Sequence, residues 1–340
     1  MCLQKRFTHI TFIVRIENRM NIKNDKPIIA IIVPCYNEEE VLPQTVERLF
    51  GKIQLLIHEQ IIDEKSKIFF IDDGSSDSTW ELIEKYHTEN PKHLGGIKLS
   101  RNSGHQNAVL SGLLAVRDNF DAAISIDADL QDDINVITKM IEKYRAGYEI
   151  VYGVRSERKA DSFFKRTTAH CFYRVMRFLG VDVVYNHADF RLMGRTALNA
   201  LSEYGEVNLF LRGIIPLLGF KTGIEYYARS ERIAGISKYP LLKMIKFAIE
   251  GITSFSVKPI RMITFSGILL FAISIIMIIY FFYRYFSGHT VIGWPSIVCS
   301  LWGIGGLILF SIGIVGEYIG KIYLETKHRP RFHVEQFLDE

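Results

Sequence analysis

The chain has 340 residues, which is enough for one catalytic domain and a smaller attachment but excludes two independent enzymes. Its formal net charge of +4 is too small to favour nucleic acid as a partner, and its four scattered cysteines suit a reducing compartment. Hydrophobic residues make up 48% of the chain and are concentrated near the C-terminus, which points to a membrane attachment there.

Residues 1–26 form an N-terminal extension that mixes apolar and basic side chains. Its apolar run, at residues 10–14, is too short for the core of a secretory signal, so we exclude the extension from the fold. Met20 offers an alternative start of translation, and our hypothesis is that the residues before it are not native. Detection by mass spectrometry of a peptide from before Met20 would refute this hypothesis.

Short apolar runs and helical patterns alternate in the first half of the chain. Four runs are continuous and rich in isoleucine, as strands buried on both faces are, and they predict strands at residues 28–33, 67–71, 96–99 and 122–126. Helical spacing separates them, at residues 39–50, 78–87 and 106–117, and a fifth strand is predicted at 149–154. This order predicts a mostly parallel α/β sheet that binds ligands at the carboxyl ends of its strands.

Two later stretches, at residues 162–179 and 241–255, interleave aromatic and basic side chains. This pattern predicts amphipathic helices on a membrane surface, and the second stretch falls in a juxtamembrane segment, residues 236–261. The alternative is that each helix has a core face beside a solvated face. These segments connect the predicted catalytic domain, residues 27–235, with the membrane.

Two uncharged apolar stretches follow, at residues 262–283 and 296–316. About 20 apolar residues match the roughly 30 Å thickness of the hydrocarbon core, so each stretch can span a bilayer as a helix. A buried helix of a soluble protein seldom needs two such stretches in succession. The sequence therefore predicts two transmembrane helices.

Basic residues decide the predicted orientation of these helices. Lysines and arginines flank both outer ends, whereas the loop between the two stretches offers only Arg284. Because basic residues stay on the cytoplasmic side, we expect the catalytic domain, both termini and the tail, residues 317–340, in the cytoplasm. The protein is thus predicted to be a multi-pass protein of the cytoplasmic membrane. The flanking residues are Lys243, Lys246, Lys258, Arg261, Lys321, Lys327, Arg329 and Arg331.

Gly316 and Gly320 form a step of two small residues, four positions apart, at the end of the second stretch. Such a step lets helices pack closely, which makes a homo-oligomer one hypothesis. The alternative is that glycine is simply frequent in membrane-spanning segments.

Polar residues gather where three of the predicted strands end. The first cluster, residues 33–39, breaks the strand at Pro34 and offers Tyr36, whose ring can stack on a base. The second cluster, residues 72–78, consists of aspartate, glycine and serine. Turns and helix starts explain most of both clusters but explain Tyr36 less well. Since parallel strands end at one edge of a sheet, we expect the clusters to form one site.

The third cluster, residues 127–131, follows the fourth predicted strand. In an extended segment, alternation points the side chains of Asp127, Asp129 and Gln131 the same way. Mg²⁺ and Mn²⁺ prefer oxygen ligands and usually complete their coordination shell with substrate phosphates. An Asp-x-Asp pattern alone is a weak signal, but at the end of a buried strand it predicts a divalent metal that holds a phosphorylated substrate.

Together the three clusters resemble those of the family 2 glycosyltransferases, which have the GT-A fold, and the resemblance extends from about residue 28 through the second apolar stretch. Residues 152–155, 188–193 and 229–239 are similar to the polyprenyl-phosphate branch, which includes dolichyl-phosphate mannose synthases and bacterial bactoprenol glucosyltransferases. The Gln-x-x-Arg-Trp signature of processive synthases is absent. The resemblance implies inverting sugar transfer from a nucleotide diphosphate sugar, with UDP-glucose as the first expectation, to undecaprenyl phosphate at the cytoplasmic membrane face.

The resemblance also implies a role for each matching residue. Asp127, Asp129 and Gln131 would bind Mg²⁺ or Mn²⁺, while Asp129 and Asp189 would be catalytic. His105 is interpreted as a helix-start residue rather than a ligand. The residues expected to bind the nucleotide sugar are Pro34, Tyr36, Asn37, Glu38, Asp73, Ser75, Asp127 and Ala128. The cations available for the acceptor phosphate, with a surface cation as the alternative for each, are Arg155, Arg191, Arg232 and Lys238.

Two interpretations from other functional classes stay open at this point. One is a non-catalytic, membrane-tethered protein that binds nucleotide sugars, which a broken metal triad would favour. The other is a metal-dependent nucleotidyltransferase, which also uses paired aspartates and releases pyrophosphate from a nucleoside triphosphate. The metal triad of this sequence is intact.

Overall fold

Strands and helices alternate along the first part of the chain, as the sequence predicts. The computed structural model describes residues 26–129, 131–155, 187–206, 211–228, 258–287 and 294–339. The strands are β1 Ile29–Cys35, β2 Lys67–Asp72, β3 Leu94–Leu99, β4 Ala122–Ser125, β5 Ile150–Arg155, β6 His187–Gly194, β7 Thr222–Tyr227 and β8 Val334–Leu338. The helices are α1 Leu42–His58, α2 Thr79–Glu89, α3 His105–Val116, α4 Val136–Arg145, α5 Arg195–Ser202, α6 Leu211–Leu217, α7 Lys258–Phe286 and α8 Trp294–Thr326.

The eight strands form one sheet in the order β7-β5-β6-β4-β1-β2-β3-β8. Strands β1 to β4 are parallel to one another, and β5 and β7 run in the same direction as these four strands. Strands β6 and β8 are antiparallel to their neighbours. The prediction of a mostly parallel α/β sheet is therefore confirmed, with β6 inserted in its centre and β8 added at its edge.

Both faces of the sheet are covered, which explains why its central strands are continuously apolar. Every residue of β1, β2 and β4 is buried. One core layer packs the sheet against α1, α2 and α4, and the other packs it against α3, α5 and α6. Burial on both faces removes the alternation of polar and apolar residues that a half-exposed strand would show.

Helix α1 differs most from its predicted bounds, because it begins at Leu42 and ends at His58. The residues before it form a turn in which the N–H groups of Val41 and Leu42 donate to the Glu38 carbonyl. Pro43 then occupies the first helical turn, where a missing N–H has no consequence. The acidic residues from Glu38 onward thus belong to the loop and not to the helix.

Strand β8 lies in the segment that the sequence predicts to be a tail. It pairs with β3, so that Gly96 faces Leu338 and Ile97 faces Phe337. The Lys67 ammonium, whose side chain is buried, donates to the backbone carbonyl and the carboxylate of Asp339. The chain therefore returns to the catalytic sheet after its last long helix.

The long helices α7 and α8 contain the two predicted transmembrane stretches. Among the described residues, one segment, Ile304–Thr326 in α8, is long and apolar enough to cross a membrane, with a mean hydropathy of 1.6 and no burial within the protein. The other predicted span lies in α7 and stays a prediction. The predicted amphipathic stretches at residues 162–179 and 241–255 lie outside the described residues, as do the first 25 residues.

Candidate active site

The three predicted clusters do meet at one edge of the sheet. Strands β1, β2 and β4 are parallel neighbours, so the loops that follow them lie side by side. Strand β6 runs the opposite way, and its Arg191 faces Ser125 of β4. The Ser125 hydroxyl donates to the backbone carbonyl of Asp189, which places Asp189 beside the end of β4. The same edge therefore collects residues from consecutive strands and from a strand much later in the chain.

The loops after β1 and β2 are hydrogen-bonded to each other. The Asn37 N–H donates to Ser75 Oγ at 2.9 Å, and the Ser76 N–H donates to Asn37 Oδ1 at 2.8 Å. Asn37 has a φ of 53°, a left-handed conformation that asparagine tolerates better than most residues. The Glu38 N–H donates to the Thr79 hydroxyl. Asn37, Glu38 and Ser75, all predicted to bind the nucleotide, thus also hold the two loops together.

Tyr36 is presented to solvent from this locked pair of loops. Its side chain is 47% exposed although it follows a fully buried strand. Neighbouring Pro34 is buried in β1 and faces Ile71 of β2. An exposed ring on a fixed loop is suited to stacking on a base, because little conformational freedom is lost on binding.

Asp73, which is predicted to bind the nucleotide, also makes hydrogen bonds to the segment after β3. It is 3% exposed, and its two oxygens accept the N–H groups of Ser103 at 2.7 Å and Gly104 at 2.9 Å. Burial raises the pKa of Asp73, and the two backbone donors partly offset that rise. The carboxylate therefore fastens the loop after β2 to the segment between β3 and α3.

Asp127 and Asp129 lie in the loop after β4. Asp127 Oδ1 is buried and accepts no hydrogen bond from the described residues. Burial raises the pKa of Asp127 to about 6, helped by the charges of nearby aspartates and opposed by His105. Asp129 Oδ1 accepts the Gln131 N–H at 3.2 Å, and the Ala128 carbonyl accepts the Thr45 hydroxyl. The loop thus holds a buried carboxylate oxygen that a cation could contact.

These residues fit a hard divalent cation. They offer carboxylate and amide oxygens, and the buried oxygen of Asp127 has the lone pairs that a metal would use. Within the described part of the chain, no three His, Cys, Asp or Glu side chains form a complete metal cage. Further oxygens for a cation held by Asp127 and Asp129 would come from Gln131 or from the substrate.

Asp189 is surrounded by cationic side chains. Arg212 donates from Nε to Oδ1 at 3.2 Å and from Nη2 to Oδ2 at 3.0 Å, and Arg191 also donates to Oδ1. His105 Nε2 lies 3.5 Å from Oδ2. Burial raises the pKa of Asp189, but the hydrogen bond from His105 and the charges of both arginines outweigh it and hold the pKa well below its usual range. Asp189 is therefore a permanent carboxylate.

His105 links the two aspartates of the site. Its Nε2 lies 3.5 Å from Asp127 Oδ1 as well as from Asp189. Burial lowers the pKa of His105, but the hydrogen bond to Asp189 and the two carboxylate charges raise it above its ordinary value. His105 does begin α3, as predicted, but the interpretation that it only starts a helix missed these contacts.

The sequence matches a known family along half of its length. The family model described as glycosyl transferase family 2 matches residues 30–202, which include β1 to β6 and the aspartates of the site. This chain belongs to glycosyltransferase family 2. The enzyme is therefore a sugar transferase, and the two alternative classes, a non-catalytic binding protein and a nucleotidyltransferase, are set aside.

Two relatives that are similar in sequence support this assignment over nearly the whole chain. The enzyme is 52% identical over 314 residues to the uncharacterized glycosyltransferase YkoT of Bacillus subtilis, covering 92% of this chain and 93% of that protein. It is 39% identical over 312 residues to a bactoprenol glucosyl transferase of Shigella phage SfX, covering 90% and 98%. A solved mannosyltransferase from Pyrobaculum calidifontis, in complex with GDP-Man and Mn²⁺, is 14% identical with a TM-score of 0.40, covering 93% and 92%.

The predicted acceptor cations of this glycosyltransferase occupy different environments. Arg155 donates from Nε to Asp132 Oδ1 at 3.0 Å, and Tyr227 donates its hydroxyl to the same oxygen at 2.6 Å. Arg191 is 1% exposed and contacts Asp189. The structure therefore places Arg155 in an ion pair with Asp132 and Arg191 in an ion pair with Asp189. Arg232 and Lys238 lie outside the described residues.

Arg212, Asp132 and Tyr227 were not predicted as site residues. Arg212 lies in α6 and Tyr227 ends β7, far along the chain from the aspartates they contact. Only Asp132 carried a local signal, because it directly follows the predicted metal ligands. His105 begins the helix that follows β3, and a titratable residue in this position, near the carboxyl end of a parallel strand, was the signal that could have identified it.

Proposed function

We propose that this glycosyltransferase moves glucose from UDP-glucose to a polyprenyl phosphate at the cytoplasmic face of the membrane, with inversion at the anomeric carbon. The bactoprenol glucosyl transferases among its relatives support this choice of acceptor and sugar. The observation that carries the proposal is the environment of Asp189, whose carboxylate is engaged by two arginines and a histidine. Such a site favours an acceptor that is already ionised.

On the donor side, the chain offers a stacking ring and oxygen ligands. Tyr36 would stack on the base, held at its place by the hydrogen-bonded loops. Asp127, Asp129 and Gln131 would hold Mg²⁺ or Mn²⁺ on the diphosphate. A divalent cation there neutralises charge on the nucleotide diphosphate as the bond to the sugar breaks.

On the acceptor side, the electrostatics argue against a hydroxyl nucleophile. A hydroxyl must lose its proton to a general base, and an efficient base has a pKa near the working pH. Asp189 has a pKa well below that range because of its cationic partners. A phosphate monoester needs no such base, because its oxygen is ionised at neutral pH and can attack the anomeric carbon directly. Arg212, whose side chain is 32% exposed, is a cation of the site that such an anion can reach.

Membrane attachment would bring the acceptor to this site. A polyprenyl tail stays in the bilayer, so the enzyme must work at the membrane surface. We propose that α7 and α8 both span the bilayer, since each is at least 29 residues long and contains one of the predicted apolar stretches. The flanking basic residues support a cytoplasmic catalytic domain, and the glycine step in α8 supports a homo-oligomer.

The decisive experiment measures where a labelled sugar goes. Membranes that contain the enzyme are incubated with Mg²⁺ or Mn²⁺ and a panel of labelled nucleotide sugars, and the lipids are extracted into organic solvent. The proposal expects label from UDP-glucose in the lipid phase, dependent on added polyprenyl phosphate and lost in Asp127→Asn. Efficient transfer to a water-soluble acceptor, with none to lipid, would refute the choice of acceptor while leaving the family assignment intact.

A further inference from the structure

A residue of α3 links the start of that helix to the arginine on Asp189. Gln106 Oε1 accepts the N–H of Leu211, the first residue of α6, at 2.8 Å. The N–H groups in the first turn of a helix lack partners within the helix, and a side chain from elsewhere can supply one. The next residue, Arg212, makes the two-point contact with Asp189. Gln106 thus fixes the position from which Arg212 reaches the site.

We propose that Gln106 is a positioning residue for the acceptor half of the reaction and acts through Arg212. It rests on the proposed function, because the anion that Arg212 is expected to attract is the lipid phosphate. Gln106 makes no contact with the reacting atoms in this role. Its contribution is to keep the Arg212 guanidinium paired with Asp189, so that the acceptor enters a site whose charges are already arranged.

Gln106 is itself held by a rigid frame. The segment before it is anchored at two points, because Asp73 accepts the N–H groups of Ser103 and Gly104. Gly74, at a φ of +67°, lies so close to this segment that an added Cβ would be 2.6 Å from the Asn102 nitrogen. The helix that follows is packed in the core. Gln106 therefore has little freedom to follow Arg212 if α6 shifts.

The same frame also carries His105. His105 contacts Asp189 directly, whereas Gln106 contacts it through Arg212. The start of α3 therefore determines the position of two cationic partners of Asp189. His105 belongs to this start, and Gln106 holds Arg212 in place through Leu211. Asp73, in the loop after β2, holds the segment before α3 in place by accepting the N–H groups of Ser103 and Gly104. This arrangement joins the donor and acceptor sides of the site through backbone and side-chain hydrogen bonds.

The test compares two substitutions at one position. Gln106→Met keeps the length of the side chain but removes the acceptor oxygen, whereas Gln106→Glu keeps an oxygen there. We expect Gln106→Met to lower kcat/KM for polyprenyl phosphate about 5- to 10-fold, the effect of one lost hydrogen bond. The Kd for UDP, measured by calorimetry, should stay within about twofold of its value in the original enzyme, because a twofold change is smaller than the effect of one lost hydrogen bond. Gln106→Glu should retain most of the activity.

A double-mutant cycle with Arg212→Ala decides whether Gln106 acts through Arg212. If it does, Gln106→Met should add less than about a twofold loss to the Arg212→Ala enzyme. Three results would overturn the proposal. The losses of the two single variants could multiply in the double variant, Gln106→Met could lose as much affinity for UDP as activity, or Gln106→Glu could be as inactive as Gln106→Met. If the original enzyme labels no lipid but glycosylates another acceptor, the proposed function has failed, and the same cycle run with that acceptor still tests Gln106.

Discussion

Replacing Asp127 by asparagine should separate catalysis from stability. The amide has the shape of the carboxylate but lacks its charge, so the fold should be kept. Asp127 Oδ1 is buried, accepts no hydrogen bond from the described residues and lies 3.5 Å from His105 Nε2, so a bound cation would add an electrostatic partner that asparagine holds less well. We expect the variant to lose about 10²- to 10³-fold in turnover, as enzymes do when one preorganised contact to developing charge is removed.

The stability of the metal-free enzyme should change in the opposite direction. The pKa of Asp127 is raised to about 6 from an ordinary 3.8, so the folded protein holds this charge less readily than the unfolded chain does. At neutral pH the ionised group therefore destabilises the fold, by at most about 3 kcal/mol. The side chain is 31% exposed, and solvent screening should reduce the effect to about 1 kcal/mol. Asp127→Asn should accordingly raise the Tm at pH 7.5.

The pH dependence provides the control. The destabilising charge disappears from the original enzyme as the pH falls below about 6, so the gain in Tm should shrink at pH 5. Differential scanning calorimetry of chelator-treated enzyme measures both values. Mn²⁺ with UDP should raise the Tm of the original enzyme more than that of the variant. Near-normal turnover of Asp127→Asn would refute the assignment of Asp127 as a metal ligand, and a lower Tm at pH 7.5 would refute the argument that its buried charge destabilises the metal-free fold.

Three further predictions address other parts of the site. Tyr36→Ala should raise the Kd for UDP about 5- to 10-fold, the contribution of one stacked base, with no change in the free energy of unfolding. Asp132→Ala should lower the free energy of unfolding by about 3 kcal/mol, because Arg155 would lose its carboxylate, whereas Tyr227→Phe should lower it by about 1 kcal/mol. Arg232→Ala should reduce kcat/KM for polyprenyl phosphate at least about tenfold and leave the donor Kd unchanged.

Each of these predictions has a matched comparison. Tyr36→Phe keeps the ring and should bind UDP normally in calorimetry, and weak binding by this variant would show that stacking is not the cause. Urea unfolding measures the free energy of unfolding of both Asp132→Ala and Tyr227→Phe. If the two variants lose equal stability, the ion pair between Asp132 and Arg155 contributes nothing to the stability of the fold. For Arg232→Ala, steady-state kinetics with each substrate varied in turn decide the matter, since an equal loss toward donor and acceptor would exclude a specific acceptor role.

Local sequence patterns predicted the parallel part of the fold well. Strands such as Ile29–Cys35 are recognisable because burial on both faces demands an unbroken apolar run. Strand β6 was missed because it carries Asp189 and Arg191, two charges that a central strand tolerates only when they pair. That pairing is a property of the fold, which no local pattern contains.

The site was predictable only where its residues follow a strand. Asp127 and Asp129 were predicted as metal ligands because they follow a buried apolar strand, and that assignment stays a prediction. Arg212 approaches Asp189 from a helix that no pattern had predicted. Asp73 also accepts the N–H groups of Ser103 and Gly104, which lie 30 and 31 residues further along the chain, and no local pattern predicted these hydrogen bonds. Long-range contacts of this kind hold the loops of the site in place.

The position of β8 after the long apolar helix α8 affects how the enzyme can be made in the cell. The edge of β3 is closed by residues 334–338, and the buried Lys67 finds its partner in Asp339. Residues 334–339 are synthesised after the long apolar helix α8. The outer edge of β3 therefore stays open until α8 has been synthesised, and an unpaired edge invites aggregation. Completion of the catalytic sheet thus comes after synthesis of the membrane attachment, so a chain that stops early carries an open edge and an unfinished enzyme.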